Sequence, residues 1–291
     1  MWGVSFVATK VMLTYFAPIP AVALRFAIAG AAFLLLFLWF GRPRFSLRTH
    51  VLVFLTAFFE PIAYFLFETF GLEFTSATKA SIIIAAVPIA VVIVARVMLK
   101  EPITLRAAIG AVASAFGLAV LILADPQVAL SEGIEGRLLG DLLILGAVIS
   151  AAFYITLARH LTQRHRPEHI TGVQILWGTV AFGALWTIVP HESNPMAVPA
   201  IAWAAVLFLA IGATVIAFLL YNYALRHLSA GVAGLAVNGV PVVTTLTGWI
   251  FLGERLTPLQ LAGAAIVIGA VAWVARGSHR AAKPSPLQME G

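Results

Sequence analysis

Long apolar runs separated by short polar breaks recur along the whole chain. Ten can be delimited: Trp2–Phe16, Ile19–Phe40, Val51–Phe70, Thr78–Leu99, Thr104–Ala124, Leu138–Ala158, Ile170–Val189, Ala200–Tyr223, Ala230–Leu252 and Leu259–Ala275. A helix needs roughly 20 apolar residues to cross a bilayer core about 30 Å thick, and most runs approach that length. They are continuous rather than alternating, so they read as helices and not as barrel strands. The breaks hold turn and charge chemistry, as in Gly41-Arg42-Pro43-Arg44, Lys100-Glu101-Pro102, Asp125-Pro126, Arg164-His165-Arg166-Pro167 and Pro190-His191-Glu192-Ser193-Asn194-Pro195. None is long enough for a soluble domain. The first run starts without the basic stretch of a signal peptide. It reads as a short first helix or as a chain whose true start lies upstream of Met1. The pattern predicts an all-α integral membrane protein with ten transmembrane helices.

Composition narrows the class. The 291 residues are 62% hydrophobic and 10% charged, with a mean hydropathy of +1.01. Soluble domains are about 45–50% apolar and about 25% charged, so a soluble fold, a disordered chain and a coiled coil are excluded. With no cysteine there is no disulfide framework, thiolate metal site or cysteine nucleophile. The net charge of +6 poses a question of sidedness rather than of nucleic acid, which is not an expected partner. With a cytoplasmic N-terminus and alternating sides, the inner segments hold 13 basic residues: Arg42, Arg44, Arg48, Arg96, Lys100, Arg106, Arg159, Arg164, Arg166, Arg226, Arg276, Arg280 and Lys283. The outer segments hold 3, namely Lys79, Arg137 and Arg255, and collect Glu73, Asp125, Glu132, Glu135, Glu192 and Glu254. Positive charge inside predicts a multi-pass protein of the cell inner membrane with both termini cytoplasmic. The polar segment 277–291 reads as a disordered cytoplasmic tail.

An internal repeat accompanies this topology. Ala77–Leu123 aligns without gaps on Ala230–Arg276, with 10 identities in 47 columns, and Pro88, Leu99, Glu101, Thr104 and Gly110 fall on Pro241, Leu252, Glu254, Thr257 and Gly263. Residues 1–124 and 138–276 form two modules on this reading. Five helices per module is an odd number, so tandem modules enter the membrane with opposite orientation. That is a transporter architecture, with its site near the midplane between the halves.

Several short motifs stand in a fixed order. Trp2-Gly3, Phe6-Val7-Ala8-Thr9-Lys10 and Leu24-Arg25-Phe26 come first. Thr75-Ser76-Ala77, Val87-Pro88 and Leu99-Lys100-Glu101-Pro102-Ile103-Thr104 close the first module. Gly140-Asp141-Leu142-Leu143 and Phe153-Tyr154 open the second, and Leu228-Ser229-Ala230, Val240-Pro241 and Gly253-Glu254-Arg255-Leu256-Thr257 end it. In this order the motifs resemble the EamA family of the drug/metabolite transporter superfamily. The resemblance covers nearly the whole chain. It implies a ten-helix bundle of two inverted five-helix modules that exports or exchanges small metabolites. The chain departs from it in the truncated front of the first helix and in Lys100, where the second module has Gly253.

Ionisable groups at bilayer depth are costly and are functional candidates by default. They are Lys10, Arg25, Glu60 and Glu68. A cavity wall is one reading; internal ion pairs or an interfacial position is the other. Glu60 sits mid-span beside Pro61, and a bend beside a carboxylate suits a moving site. Glu60, Tyr64 and Glu68 recur every four residues and share one helix face. Tyr154, Gln174, Trp177, Tyr221 and Asn238 are neutral candidates for substrate contact, set against aromatic-belt and helix-glue roles. Asn222 reads as too near the inner surface. Pro88 and Pro241, equivalent in the repeat, are candidates for gating or cavity shaping. Gly110, Gly117, Gly263 and Ala270 suit close helix packing. Glu101 and Glu254 are expected to cap helices, and Asp141 suits a helix N-terminus.

The chain has no phosphate-binding loop of the G-x-x-x-x-G-K-[ST] type and no H-E-x-x-H motif, and its 7 histidines all fall outside the ten apolar runs, where loops or the tail are expected. No catalytic group, metal or cofactor is expected, and the chain does not read as an enzyme. The reading is a secondary transporter, exporting small amino-acid-like or amphipathic metabolites by alternating access. An uptake permease, an exchanger and a membrane-embedded enzyme are the alternatives. The small-molecule substrate and the lipid bilayer are the partners; protons are a candidate coupling ion and a homodimer a candidate assembly. Burial and a neighbouring cation, Lys10 or Arg25, act oppositely on a carboxylate's charge. That balance makes Glu60 the candidate proton carrier.

Overall fold

Polar breaks in the sequence become helix ends with recognisable chemistry. The computed structural model describes residues 1–74, 83–124, 138–188, 198–243, 246 and 257–281. Its helices are α1 (Trp2–Leu13), α2 (Pro18–Phe40), α3 (Leu47–Ala57), α4 (Tyr64–Phe74), α5 (Val87–Met98), α6 (Leu105–Leu123), α7 (Leu138–Thr162), α8 (Pro167–Ile188), α9 (Ala200–Leu207), α10 (Ala217–His227), α11 (Ala230–Val237) and α12 (Pro258–Ala281). No strand occurs among the described residues. Ser46 and Ser229 cap α3 and α11 by accepting from the amides of Thr49 (3.3 Å) and Val232 (3.5 Å). Pro18 and Pro167 open α2 and α8, where the missing N–H costs nothing.

The expected cap at Glu101 is corrected by the structure. Thr104 Oγ1 caps α6 by accepting from Ala107 N at 3.1 Å, while Glu101 faces Arg159 at 3.7 Å. The hydroxyl can turn onto an amide one turn ahead; the longer carboxylate reaches a cation instead. Glu254 lies outside the described residues, as do Lys79, Arg137 and Arg255. Upstream, α5 ends with Lys100 at φ 56°, and Glu101 N donates to Ala95 O at 3.3 Å. That closes a left-handed helix terminus in which glycine is the residue of least strain. Gly253 stands at the corresponding place in the other half.

Among the described residues, five helical stretches are long and apolar enough to cross a membrane: Pro18–Phe40, Leu47–Glu68, Leu139–Thr162, Pro167–Ile188 and Ala200–His227. Four apolar helices among the described residues are shorter: Val87–Met98, Leu105–Leu121, Ala230–Val243 and Pro258–Val274. Several runs expected as single spans are internally broken. A π-helical segment, Phe58–Ala63, joins α3 to α4, with Glu60 at the non-helical angles φ −149°, ψ 121° just before Pro61. Ala85–Ala86 form a turn ahead of Pro88, and Asn238 forms one ahead of Pro241. Proline lacks the N–H that bonds four residues back, and its ring crowds that carbonyl, so each break falls just upstream of it. A second π segment, Phe208–Ile216, joins α9 to α10 without a proline.

Helices cannot be held together by expulsion from lipid, which is itself apolar, so contact must be close. A Cβ on Gly263 would lie 2.6 Å from Leu121 N and 2.7 Å from Gly117 O; Gly110 meets Val274. α6 and α12 therefore run antiparallel with backbone nearly against backbone, as the glycine spacing predicts. α2 and α8 are also antiparallel, Gly30 facing Thr179 and Gly172 facing Phe37, with Phe26, Phe33 and Phe182 buried between them. α5, α7, α10 and α11 enclose Val91, Tyr154, Phe218 and Leu225. The helix starts at Leu47 and Ala200, Tyr64 and Ala217, and Leu105 and Pro258 share one interval of 153 residues, which also separates the contacting residues Phe26 and Thr179.

Candidate functional site

The two π segments shape a central polar site. In the first, the amide of Tyr64 bonds Phe59 O and Pro61 O. The carbonyl of Glu60 is thus passed over by the amide four residues on, and it accepts from Gln174 Nε2 on α8 at 2.8 Å. In the second, the amide of Ala217 bonds Gly212 O. Ala213 O is passed over in the same way and accepts from the indole Nε1 of Trp2 at 2.9 Å. A buried carbonyl without a donor is expensive, so each opening recruits a side chain from another helix.

Thr214, next in the second segment, donates to Leu209 O at 2.9 Å and accepts from Arg25 Nε at 2.6 Å. This fixes the guanidinium of α2 inside the protein, where Arg25 is only 7% exposed. The group lies 5.4 Å from the ring centre of Phe65 and is in electrostatic reach of Glu68 first and Glu60 second. Tyr64 donates its hydroxyl to Glu68 Oε1 at 3.4 Å. Glu60, Tyr64 and Glu68 are all half-buried, and they line one face as their spacing predicts.

Aromatic rings form the facing wall. Trp2 packs on Tyr221 and Phe218 at 5.1 and 5.3 Å, Phe59 stacks on Phe153 at 4.8 Å, and Tyr154 stacks on Tyr221 at 6.4 Å. Glu60 interacts electrostatically with both tyrosines. Tyr154 donates to Asn222 Oδ1 at 3.3 Å, and Asn222 Nδ2 donates to Thr171 Oγ1 at 2.9 Å. Asn222 is therefore the floor beneath Tyr154. Gln174 Oε1 is buried beside the Tyr154 hydroxyl yet meets no hydrogen-bond geometry among the described residues. One cation, two carboxylates and several rings thus offer opposite charges and an apolar face to one small ligand.

The remaining candidates stand elsewhere. Trp177 is 38% exposed and packs edge-on against Phe54 at 4.9 Å. Asn238 is buried at its helix break and donates to Ala85 O (3.3 Å) and Ser114 Oγ (3.1 Å), joining the two breaks. Pro88 is buried and Pro241 half-buried, each following its break. Lys10 lies on α1, but its side chain is outside the described residues. Trp2, Phe65 and Thr214 were not legible as site residues. Extending the 153-residue repeat interval upstream, which sets Thr214 on Pro61, is the signal that could have pointed at the second segment.

On one side of this site the helix ends are clamped. Arg159 Nη1 donates to Leu225 O at 2.8 Å and to Arg226 O at 3.0 Å, and Gln163 Nε2 donates to Arg226 O at 2.7 Å. With Glu101 beside Arg159, the clamp ties the ends of α5, α7 and α10 together. No group of three or more metal-binding side chains occurs among the described residues.

Comparison with known proteins places these features. The EamA-like transporter family profile matches residues 1–123 and 138–276. The uncharacterized transporter YcxC of Bacillus subtilis is 31% identical over 92% of this chain and 88% of its own length. A probable terminal-alkyne amino-acid exporter of Streptantibioticus cattleyicolor is 26% identical over 74% of this chain and 69% of its own. A crystal structure sharing 21% identity superposes with a TM-score of 0.79, covering 97% of this chain and 95% of that one, and so shares its fold.

Proposed function

Because the chain belongs to the EamA-like transporter family, we propose that it is a secondary transporter that exports small amino-acid-like or amphipathic metabolites across the inner membrane by alternating access. The family and its relatives support a multi-pass membrane transporter rather than an enzyme. The observation that carries the substrate reading is Arg25, held by Thr214 and facing Glu68 and Glu60 across an aromatic-walled space. A guanidinium suits a carboxylate, a carboxylate suits an ammonium group, and the rings suit an apolar side chain. The exporter of Streptantibioticus cattleyicolor named for an amino acid agrees with that class.

Ten spans in two inverted halves remain our reading of the architecture. It is supported by the shared interval of helix starts, by π segments at equivalent places, and by equivalent helices that pack antiparallel. The clamp at Arg159 closes the basic, cytoplasmic end, while Glu60, Tyr64 and Glu68 stay partly accessible, which fits an outward-facing state. Alternation then requires the clamp to part and the outer ends to close. Glu60, between Arg25 and the tyrosines, is the candidate proton carrier.

Proteoliposome transport of radiolabelled neutral amino acids tests the reading. Arg25→Gln is expected to remove both net uptake and exchange. Glu60→Gln is expected to abolish transport driven by a pH gradient while leaving gradient-free exchange measurable, and Glu68→Gln to do much less. Full pH-driven transport by Glu60→Gln at normal protein levels rejects the coupling role. Undiminished exchange by Arg25→Gln rejects the site.

A further inference from the structure

The connector between α2 and α3 and the connector between α7 and α8 meet at the edge of the bundle around one aromatic ring. Phe45 lies edge-on to His50 at 5.4 Å, to His165 at 5.3 Å and to His169 at 6.4 Å. His169 also approaches Phe40 O at 3.3 Å through Nε2, which pins the second connector to the end of α2. Around this ring the cations are dense. Arg42, Arg44, Arg48 and His50 are exposed on the first connector and its helix, and Arg164 and Arg166 on the second. Arg48 and Arg164 both lie in electrostatic reach of His160 on α7, so the two connectors bring their charges to one place. One acid answers them among the described residues: Glu168 pairs with Arg166.

Height in the membrane is marked by Trp39, 89% exposed in the last turn of α2, just before the first connector. Exposed tryptophan at a span end sits at the level of lipid headgroups. A cluster of arginines and imidazoles at that level, with an aromatic pivot and little counter-charge, matches the negative charge and oxygen acceptors of a phosphodiester. The partner present there at the highest concentration is lipid.

We propose that the niche formed by Arg44, Arg48, His50, Arg164 and His165 around Phe45 binds the headgroup of an anionic phospholipid, separately from the transported substrate. Arginine forks hold the phosphate oxygens, and Phe45 with its three imidazoles keeps the two connectors in register to present them. Binding joins α2–α3 to α7–α8 by a shared ligand at the end opposite Glu68.

The test is the affinity of spin-labelled phosphatidylglycerol relative to spin-labelled phosphatidylcholine for the full-length protein in phosphatidylcholine vesicles. The wild type is expected to prefer phosphatidylglycerol. An exposed cation near an anionic surface contributes about fivefold to affinity, so R44Q/R48Q/R164Q is expected to lose most of that preference. R96Q/R276Q, which neutralises exposed cations outside the niche, is expected to keep it, with both variants retaining the wild-type melting temperature in detergent. Glycerol 3-phosphate in solution is expected not to displace the lipid. An equal loss in both variants, no preference in the wild type, or displacement by glycerol 3-phosphate overturns the lipid site. Because no transport is measured, such failure leaves the transport reading untouched.

Discussion

Glu60 and Ala213 hold the same place in two π-helical segments, and the carbonyl of each is bonded by a side chain from elsewhere in the fold. The amide four residues on is diverted in both cases, from Tyr64 to Phe59 and Pro61 and from Ala217 to Gly212. Gln174 and Trp2 supply the missing donors at 2.8 and 2.9 Å. Opening a helix by one residue widens it locally and turns the next side chains outward from the regular spiral. In the second segment the next side chain is Thr214, which holds Arg25.

If these donors satisfy the openings, Gln174→Leu and Trp2→Phe each leave a carbonyl unpaired while keeping apolar bulk. Each is expected to cost about 1–3 kcal/mol, the usual penalty for an unsatisfied buried polar group. Thermal unfolding in detergent reads the loss. Wild-type stability in both variants would show that other partners hold the carbonyls.

Thr214 fixes Arg25 through one hydroxyl. Thr214→Val keeps the shape and removes the acceptor of the 2.6 Å bond. Hydrogen bonds to charged groups contribute about 1.5–3 kcal/mol, so exchange transport is expected to fall about 10- to 100-fold. Thr214→Ser, which retains the hydroxyl, should recover most of it. Equal loss in Val and Ser variants would point to packing at the methyl group instead.

Much of this arrangement could be read in advance, and its omissions have physical causes. Glu60, Tyr64 and Glu68 were legible because charge in an apolar run is rare and a four-residue spacing fixes a face. Pro61, Pro88 and Pro241 marked three of the breaks because proline removes a donor. Thr214 was not legible, because threonine bonds its own helix in lipid-facing and site-facing positions alike. Trp177 and Asn238 were harder to place for a related reason: aromatic and amide side chains serve the lipid boundary and helix contacts as readily as a ligand. The second π segment has no proline, and nothing local in its sequence announces it.

The clamp at Arg159 is open to a direct test, since the chain has no cysteine. Ala158→Cys places one thiol in the buried seam beside Arg159. Labelling by a membrane-impermeant maleimide from the side of Glu101 is expected to be slow. Adding Arg159→Met should raise the rate at least threefold by freeing the Leu225 and Arg226 carbonyls. Adding Glu101→Gln should raise it less, because an ion pair at 3.7 Å with partly exposed partners is weak. Unchanged labelling in the Arg159→Met background would remove the clamp from the gating scheme.

Glycine packing makes a contrast within one helix. Gly263→Ala puts a methyl group 2.6 Å from Leu121 N, whereas at Gly269 nothing lies within 4 Å. The first substitution is expected to cost about 1–3 kcal/mol by overpacking, and the second to leave thermal stability unchanged. Similar melting temperatures for the two variants would show that α6 and α12 can part without penalty.

That seam also limits what can move. Where Gly263 sets the backbone of α12 nearly against Leu121 and Gly117 of α6, little side chain lies between them to be exchanged, so the contact resists sliding. α6 and α12 are then the axle of the molecule. A swing between facing states would fall to the helices already interrupted, at Glu60 and Ala213 and ahead of Pro88 and Pro241, while the axle stays still.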